Sequence, residues 1–384
     1  MKKSDRAQAE FYIKNQVLPE SQDISELDYH FQRRAALYSH LGIPPLFLKG
    51  RSVLEIGPGN GENSLFTLSC MPGEYVLVEP NSGGLEKTKQ LLEKSRFSDS
   101  SAITYLNCFL DDYSPDSGFD LVLCEGLIPG RANPENLLRK VLELVNPQGI
   151  AVVTCSEHLA FLSDAVRKIL GLALAEPSLS VLEQAKNITP FFESHFSNLP
   201  GMSRNVKDWA LDNVFNHTED INFSIPRALE AAGSDADFYS SSPVFFSDWR
   251  WYKQITGKEF GFGSHAVDLW SRIRHSTLNH TCQFPPADPN VVMALVGLAE
   301  RIFDLSRELA SNRDLNILPE VSETLLELVG KLRLVPGDTA WTCDALLDAG
   351  RAVSQVRHKG IAADCGRFAA LFGKGQQHLS LMKR

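Results

Sequence analysis

Residues 53–64 read VLEIGPGNGENS. Val53, Leu54 and Ile56, with Glu55 among them, run into glycines at 57, 59 and 61, and a polar segment able to open a helix follows. A strand feeding a glycine turn and then a helix is a physical solution for holding a nucleotide. Glycine tolerates positive φ, lets the backbone approach a ligand, and leaves the N–H groups of the helix N-terminus free to donate. The spacing narrows the ligand. A dinucleotide fingerprint reads G-x-G-x-x-G and seats pyrophosphate on the helix N-terminus. Here the third glycine comes one residue early, and Glu62 fills the position the fingerprint wants. A carboxylate there would face pyrophosphate, which argues against a nicotinamide-dependent oxidoreductase, the same fold with a different ligand.

The stretch resembles the first motif of class I S-adenosylmethionine-dependent methyltransferases, and the resemblance extends to about Ser156. It implies that the glycine loop passes under the methionine half of S-adenosylmethionine, which is zwitterionic and carries no phosphate. That fits a turn flanked by Glu55 and Glu62. The resemblance places cofactor contacts at Glu55, Gly57, Pro58, Gly59, Gly61 and Asn63, with S-adenosylhomocysteine as the product.

The hundred residues around the motif alternate between short apolar runs and helical patterns. Strands are expected at Arg51–Ile56, Tyr75–Val78, Ile103–Leu106, Phe119–Cys124 and Gly149–Thr154, with a sixth at Asp237–Ser241. Apolar, β-branched runs separated by helices imply parallel strands buried on both faces. The fold class is therefore α/β, a doubly wound Rossmann-like sheet, and ligands in such sheets lie beyond the carboxyl ends of the strands. Glu79, 22 residues beyond Gly57 and closing the second strand, is placed to accept from the ribose hydroxyls, with Asn81 beside it. At the third exit stand Phe109, Leu110 and Asp111. The family puts an acid here for the adenine amino group, and Phe109 occupies the aligned position, so Asp111 falls about two residues late. Glu125 and Gly126, at the fourth exit, are expected to line the methionine side or the acceptor.

Four regions follow. Residues 1–45 form an N-terminal helical segment, helical over Ile24–His40, that either closes over the cofactor or simply packs. Residues 46–156 and 223–245 make the cofactor-binding core. Residues 157–222 are too long for an ordinary connection and read as a helical cap that binds the acceptor. Its candidate contacts are Arg204, Asp208, Trp209, Asp212, Asn213 and His217, with Trp209 alternatively a core residue. Residues 246–384 read as an α-helical C-terminal domain, wholly helical from Asp288 onward, where Leu295, Leu298, Ile302, Leu305 and Leu309 recur at helical spacing. That domain could dock on the core, form a homodimer or bind a partner. The run VFFSDWRWYKQ reads as a hydrophobic seam between domains, or as a stacking surface built around Arg250.

Bulk composition sets bounds. A net charge of −9 and a pI near 5.6 disfavour non-specific nucleic-acid binding. The seven cysteines include no C-x-x-C pair and point to a reducing, cytoplasmic setting. The N-terminus has no apolar signal region, and no stretch reaches the ~18 apolar residues a spanning helix needs. His275, His280 and Cys282 do not have zinc spacing, and no metal is expected. Methyl transfer from a sulfonium needs alignment and exclusion of water rather than a nucleophilic side chain. A hydroxyl acceptor would benefit from a general base. His158, just past the fifth strand, is best placed for that role, ahead of His195 and His217. The reading is thus a methyltransferase acting on a small-molecule or glycan acceptor, with a cofactor-binding protein that lacks turnover as the alternative.

Overall fold

Alternation inside the strands decides how the chain layers. The structure, a computed structural model, describes residues 22, 24–199, 201–202, 205–216, 221–254, 262–359 and 364–384. Its strands are β1 (Ser52–Ile56), β2 (Glu74–Val78), β3 (Ala102–Leu106), β4 (Phe119–Cys124), β5 (Val145–Cys155), β6 (Ala236–Ser242) and β7 (Gln377–Lys383). Successive residues of a strand point to opposite faces. Val53, Tyr75, Leu77, Leu121, Leu123 and Val152 pack on one face with Tyr38, Leu65, Leu68 and Leu92. Their neighbours Leu54, Val76, Val122, Ala151 and Val153 pack on the other with Leu138, Val141, Ile225 and Ala228. A strand apolar on both sides must be covered on both sides, and that is why helices flank the sheet.

The helices of two turns or more are α1 (Leu27–His40), α2 (Glu62–Ser69), α3 (Ser82–Glu93), α4 (Pro134–Glu143), α5 (Leu162–Leu174), α6 (Val181–Phe196), α7 (Ile225–Ala232), α8 (Gly263–Ile273), α9 (Pro289–Asn312), α10 (Leu318–Leu332) and α11 (Ala340–Lys359). Several starts are written in the sequence. Asn81 caps α3 by accepting from the amides of Gly83 and Gly84, Ser180 and Glu183 form a capping box on α6, and Asp288 with Pro289 opens α9. α1, α2 and α3 contribute to the core on one face of the sheet, and α4, α7 and α8 to the core on the other.

The sheet order is β3-β2-β1-β4-β5-β7-β6. β1 is parallel to β2 and β4, β2 to β3, and β4 to β5, whereas β7 is antiparallel to both β5 and β6. This corrects the expectation of a wholly helical C-terminal region. The last residues return to the sheet and fill the slot between β5 and β6, with Leu379 and Leu381 fully buried. The run QHLSLMK shows its period of two only over a few residues, too short to stand out at a chain end.

The cap and the C-terminal helices, expected as separate units, pack together. α5, α6 and the 206–215 stretch share one apolar core with α9, α10 and α11. Ile169, Phe192, Trp209 and Val214 meet Leu295, Ile302, Leu325 and Val353 there. Neither half of this helical unit could bury its apolar face alone. α8, also assigned to the C-terminal domain, packs instead on the sheet through Ala266 and Trp270. The aromatic run divides as well. Phe245 and Phe246 pack against the core beside Phe238, Trp270 and Phe262. Trp249, Trp251 and Tyr252 are exposed, so the run is a seam only in its first part.

Candidate functional site

The glycine turn follows β1 as one tight excursion. Gly57 leaves the strand at φ 72°, its N–H donating to the Val78 carbonyl at 2.9 Å, and Gly61 caps α2 at φ 85°. A Cβ on Gly61 would lie 2.9 Å from the Thr88 backbone, so only glycine lets α2 start this close to α3. Glu79, at the exit of β2, folds back onto the turn. Its Oε1 accepts from Asn81 N at 2.8 Å and its Oε2 from Gly59 N at 3.3 Å. Asn107 donates from its side chain to the carbonyls of Glu79 and Pro80, at 2.8 and 3.1 Å, and fixes the backbone there. Burial pushes the Glu79 carboxyl above its ordinary value, against the pull of those two backbone donors and of Arg131.

These groups line one side of a cleft of about 1230 Å³ at the carboxyl ends of the parallel strands. Gly57, Pro58, Gly59, Asn63, Glu79, Asn81, Phe109, Leu110, Asp111, Glu125 and Gly126 all border it. Glu62 borders it too, at the N-terminus of α2, so a carboxylate stands where a phosphate cradle would present only donors. Gly61 shapes the turn from behind. Glu55 lies beneath the turn, taking a hydrogen bond from the Tyr75 hydroxyl. Burial raises the Glu55 carboxyl to about 7, despite that hydrogen bond. Asp111 is ion-paired with Lys140 of α4 at 3.0 Å, so its carboxylate is already engaged at the cleft edge.

Glu125 ties three elements together. Arg34 of α1 grips it with two hydrogen bonds of 2.8 Å, and His378 of β7 lies 3.8 Å away. Burial would raise this carboxyl, but Arg34 outweighs it and holds it down at about 2. The N-terminal helix is thereby fastened at the exit of β4. His30, one turn earlier on α1, bonds to the Glu62 carbonyl at 2.9 Å.

The expected acceptor residues are only partly brought together. Asp212 and Asn213 border the cleft. Asp208 is exposed and Trp209 is buried against Phe192 and Phe196, and neither borders it. The physical reason is a change of helix type. The α-turns of Val206–Ala210 continue as a π-helix over Leu211–Phe215, which carries Trp209 into the core and Asp212 toward the cleft. Arg204 and His217 lie outside the described residues. His158, expected as a base just past β5, lies away from the cleft's lining. It is buried, its ring tilted against Phe303 with centroids 4.7 Å apart.

Other lining groups escaped the sequence reading. Arg131 comes from the long β4 exit, Asp164 and Lys168 from one face of α5, and Phe303, Ser306 and Arg307 from α9. Asp164 and Lys168 stand four residues apart, one helical turn, which is a readable signal. For the α9 residues the sequence held no signal, because nothing local says that this helix reaches the cleft. Among the described residues no three His, Cys, Asp or Glu side chains gather as a metal site, and no helix is long and apolar enough to cross a membrane.

A family model described as a methyltransferase domain matches residues 29–239, more than half of the chain. No curated protein matches by sequence. Among solved structures, the chain is similar to PKMT2 of Rickettsia typhi in complex with AdoHcy, at 18% identity and TM-score 0.39, over 54% of this chain and 42% of that one. It is also similar to coclaurine N-methyltransferase bound to N-methylheliamine and SAH, at 14% identity and TM-score 0.39, over 94% of this chain and 73% of that one. A third is the N-methyltransferase NodS of Bradyrhizobium japonicum with S-adenosyl-L-homocysteine, at 14% identity and TM-score 0.30, over 38% and 74% of the two chains. The chain spans less than half the length of the rickettsial protein.

Proposed function

The chain belongs to the methyltransferase-domain family, and from that premise we propose that it transfers a methyl group from S-adenosylmethionine to a small-molecule or glycan acceptor. The observation that carries the choice of donor is the Glu79 carboxylate. Both its oxygens are already oriented by backbone N–H groups of the glycine turn and of Asn81, and each keeps a lone pair toward the cleft. Such a pair of acceptors suits the vicinal diol of a ribose. Glu62 at the α2 N-terminus supports a ligand without phosphates.

The remaining roles follow the order of the strand exits. Phe109 and Leu110 would flank the adenine, with Asp111 and Lys140 closing its edge. Glu125, Gly126 and the α2 N-terminus would face the methionine half. The donor brings a methyl already activated by its sulfonium, so the protein's task is alignment and exclusion of water. Arg34 of α1 holds the Glu125 carboxylate, which borders the cleft, in place. All seven cysteines are free thiols, which fits a reducing compartment.

Calorimetry on the intact protein tests this reading. S-adenosylhomocysteine should bind one-to-one and NAD should give no heat. The reverse result overturns it. Binding without turnover on any acceptor would favour the alternative of a cofactor-binding protein.

A further inference from the structure

The strand exits account for one side of the cleft. The other side is built by the helical unit, and it holds Lys168 in an unusual setting. Lys168 is half-buried on α5, and its Nζ donates to the Asn216 carbonyl at 3.1 Å. Among the described residues no carboxylate lies within ion-pair distance of it. The charged groups around it are few. Asp164 stands one turn earlier on the same helix and borders the cleft. Arg307, itself paired with Asp304, comes from α9, and Asp212 from the π-helical stretch. Arg167, on the adjacent position of α5, points away, toward His195 and the carbonyls of Phe368, Ala369 and Leu371. Burial, with the Arg307 charge beside it, pulls the Lys168 amine down to about 8. A good fraction is then neutral in mildly alkaline solution. Phe161 and Phe303 border the same cleft as this amine and supply flat apolar surface there.

We propose that Lys168 is the general base of the transfer, and that the acceptor is an acidic hydroxyl of the phenol class whose ring lies against Phe161 and Phe303. This rests on the methyl-transfer reading. An amine acceptor needs only to arrive neutral, whereas a hydroxyl gains from a base whose pKa lies near the working pH. In the step, the neutral Lys168 amine takes the O–H proton as an oxygen lone pair bonds the methyl carbon. The carbon–sulfur bonding pair stays on sulfur, which becomes a neutral thioether. The Lys168 ammonium then gives its proton to water at the cleft mouth. The role passes from His158, which is buried away from the opening, to a residue that faces it.

Two measurements on the full chain test the proposal. The first is reductive labelling with salicylaldehyde and cyanoborohydride from pH 6 to 10, read by peptide mass. Lys168 should label ahead of the exposed Lys186 and Lys207, with a rate midpoint near pH 8, and free phenol should slow it. Labelling no faster than those two lysines, or a midpoint near pH 10, overturns it. The second is transfer of labelled methyl to catechol and to benzylamine. Catechol should be the better acceptor, and Lys168→Met should cut its rate by about 100-fold or more while S-adenosylhomocysteine affinity holds. Preference for benzylamine, transfer to neither probe, or a variant keeping a third of the rate overturns the assignment. Absence of S-adenosylhomocysteine binding to the parent protein would instead sink the underlying methyl-transfer reading, so the two failures are distinguishable.

Discussion

Replacing Glu79 by alanine should weaken S-adenosylhomocysteine binding about 100-fold, and the figure follows from the geometry. Each oxygen of Glu79 already receives one backbone N–H, from Asn81 and from Gly59, and has one lone pair left for a ribose hydroxyl. A hydrogen bond to a charged group contributes about 1.5–3 kcal/mol. The low end applies here, because the carboxylate is partly satisfied by its backbone donors, so two such bonds give about 3 kcal/mol. At about 1.4 kcal/mol per decade, that is roughly two orders of magnitude in dissociation constant. Glu79→Gln keeps one acceptor oxygen and turns the other into a donor, so about tenfold is expected. The backbone should keep its path in either variant, because Asn107 holds the carbonyls of Glu79 and Pro80 independently of the carboxylate. Isothermal calorimetry gives the affinities. The 2′-deoxy analogue of S-adenosylhomocysteine supplies the second arm of a thermodynamic cycle. It should bind the parent protein more weakly than the natural ligand, yet bind Glu79→Ala about equally well. If the alanine variant loses less than threefold, or if the deoxy analogue loses the same factor in both proteins, the carboxylate does not hold the sugar and the reasoning fails.

Three further outcomes are expected. Glu55 is raised from an ordinary 4.5 to about 7, so the folded protein keeps a proton that the unfolded chain releases between those values, and stability falls as pH climbs through that window. The stability of Glu55→Gln relative to the parent, from urea unfolding, should therefore grow by up to about 3 kcal/mol between pH 4.5 and 7.5 and stay level at higher pH. Arg34→Met strands the Glu125 carboxylate and should cost about 3–5 kcal/mol, much of it regained in Arg34→Met/Glu125→Gln; equal losses in the two variants would show that the pair is not coupled. Truncation after Gln376 removes β7, bares the edges of β5 and β6, and should yield aggregated protein in size-exclusion chromatography, whereas an unchanged monomer-sized peak would contradict its place in the sheet.

The strand-exit side of the cleft was legible because its signals are local. The glycines at 57, 59 and 61, the acid at 79 and the exits at 109–111 and 125–126 each sit at the end of a strand that its own residues specify. α6 and α7 carry local signals as well, a capping box in the one and a terminal glycine in the other. What escaped was non-local. β7 is seven residues long and stabilised by two partners distant in sequence. Trp209 and Asp212 were grouped by an α-helical spacing that the π-helix breaks. His158 was ranked by its position after β5, but position in sequence does not say which side of the chain faces solvent.

The two sides of the cleft therefore answer to different physics. The strand-exit side is positioned by the sheet, whose register is fixed by apolar alternation on both faces. The opposite side is positioned by the helical unit, and that unit must be held against the sheet for the cleft to keep its width. Arg167 is one device that does so. Fully buried on α5, it donates to three carbonyls within 368–371 and stacks on Phe372 at 3.7 Å, so it binds the helix carrying Lys168 to the segment that leads into β7. The Gly373 N–H, which donates to Ser163 of α5 at 3.3 Å, adds a second tie between the same two segments. Among the described residues no carboxylate is ion-paired with the Arg167 cation, and burial, against the pull of Asp164, lowers its pKa to about 10. The several donors of a buried charge can fix a geometry that apolar packing would leave loose. The geometry fixed here is the approach of α5 to the sheet edge, and with it the distance between whatever lies on the glycine turn and whatever Lys168 faces.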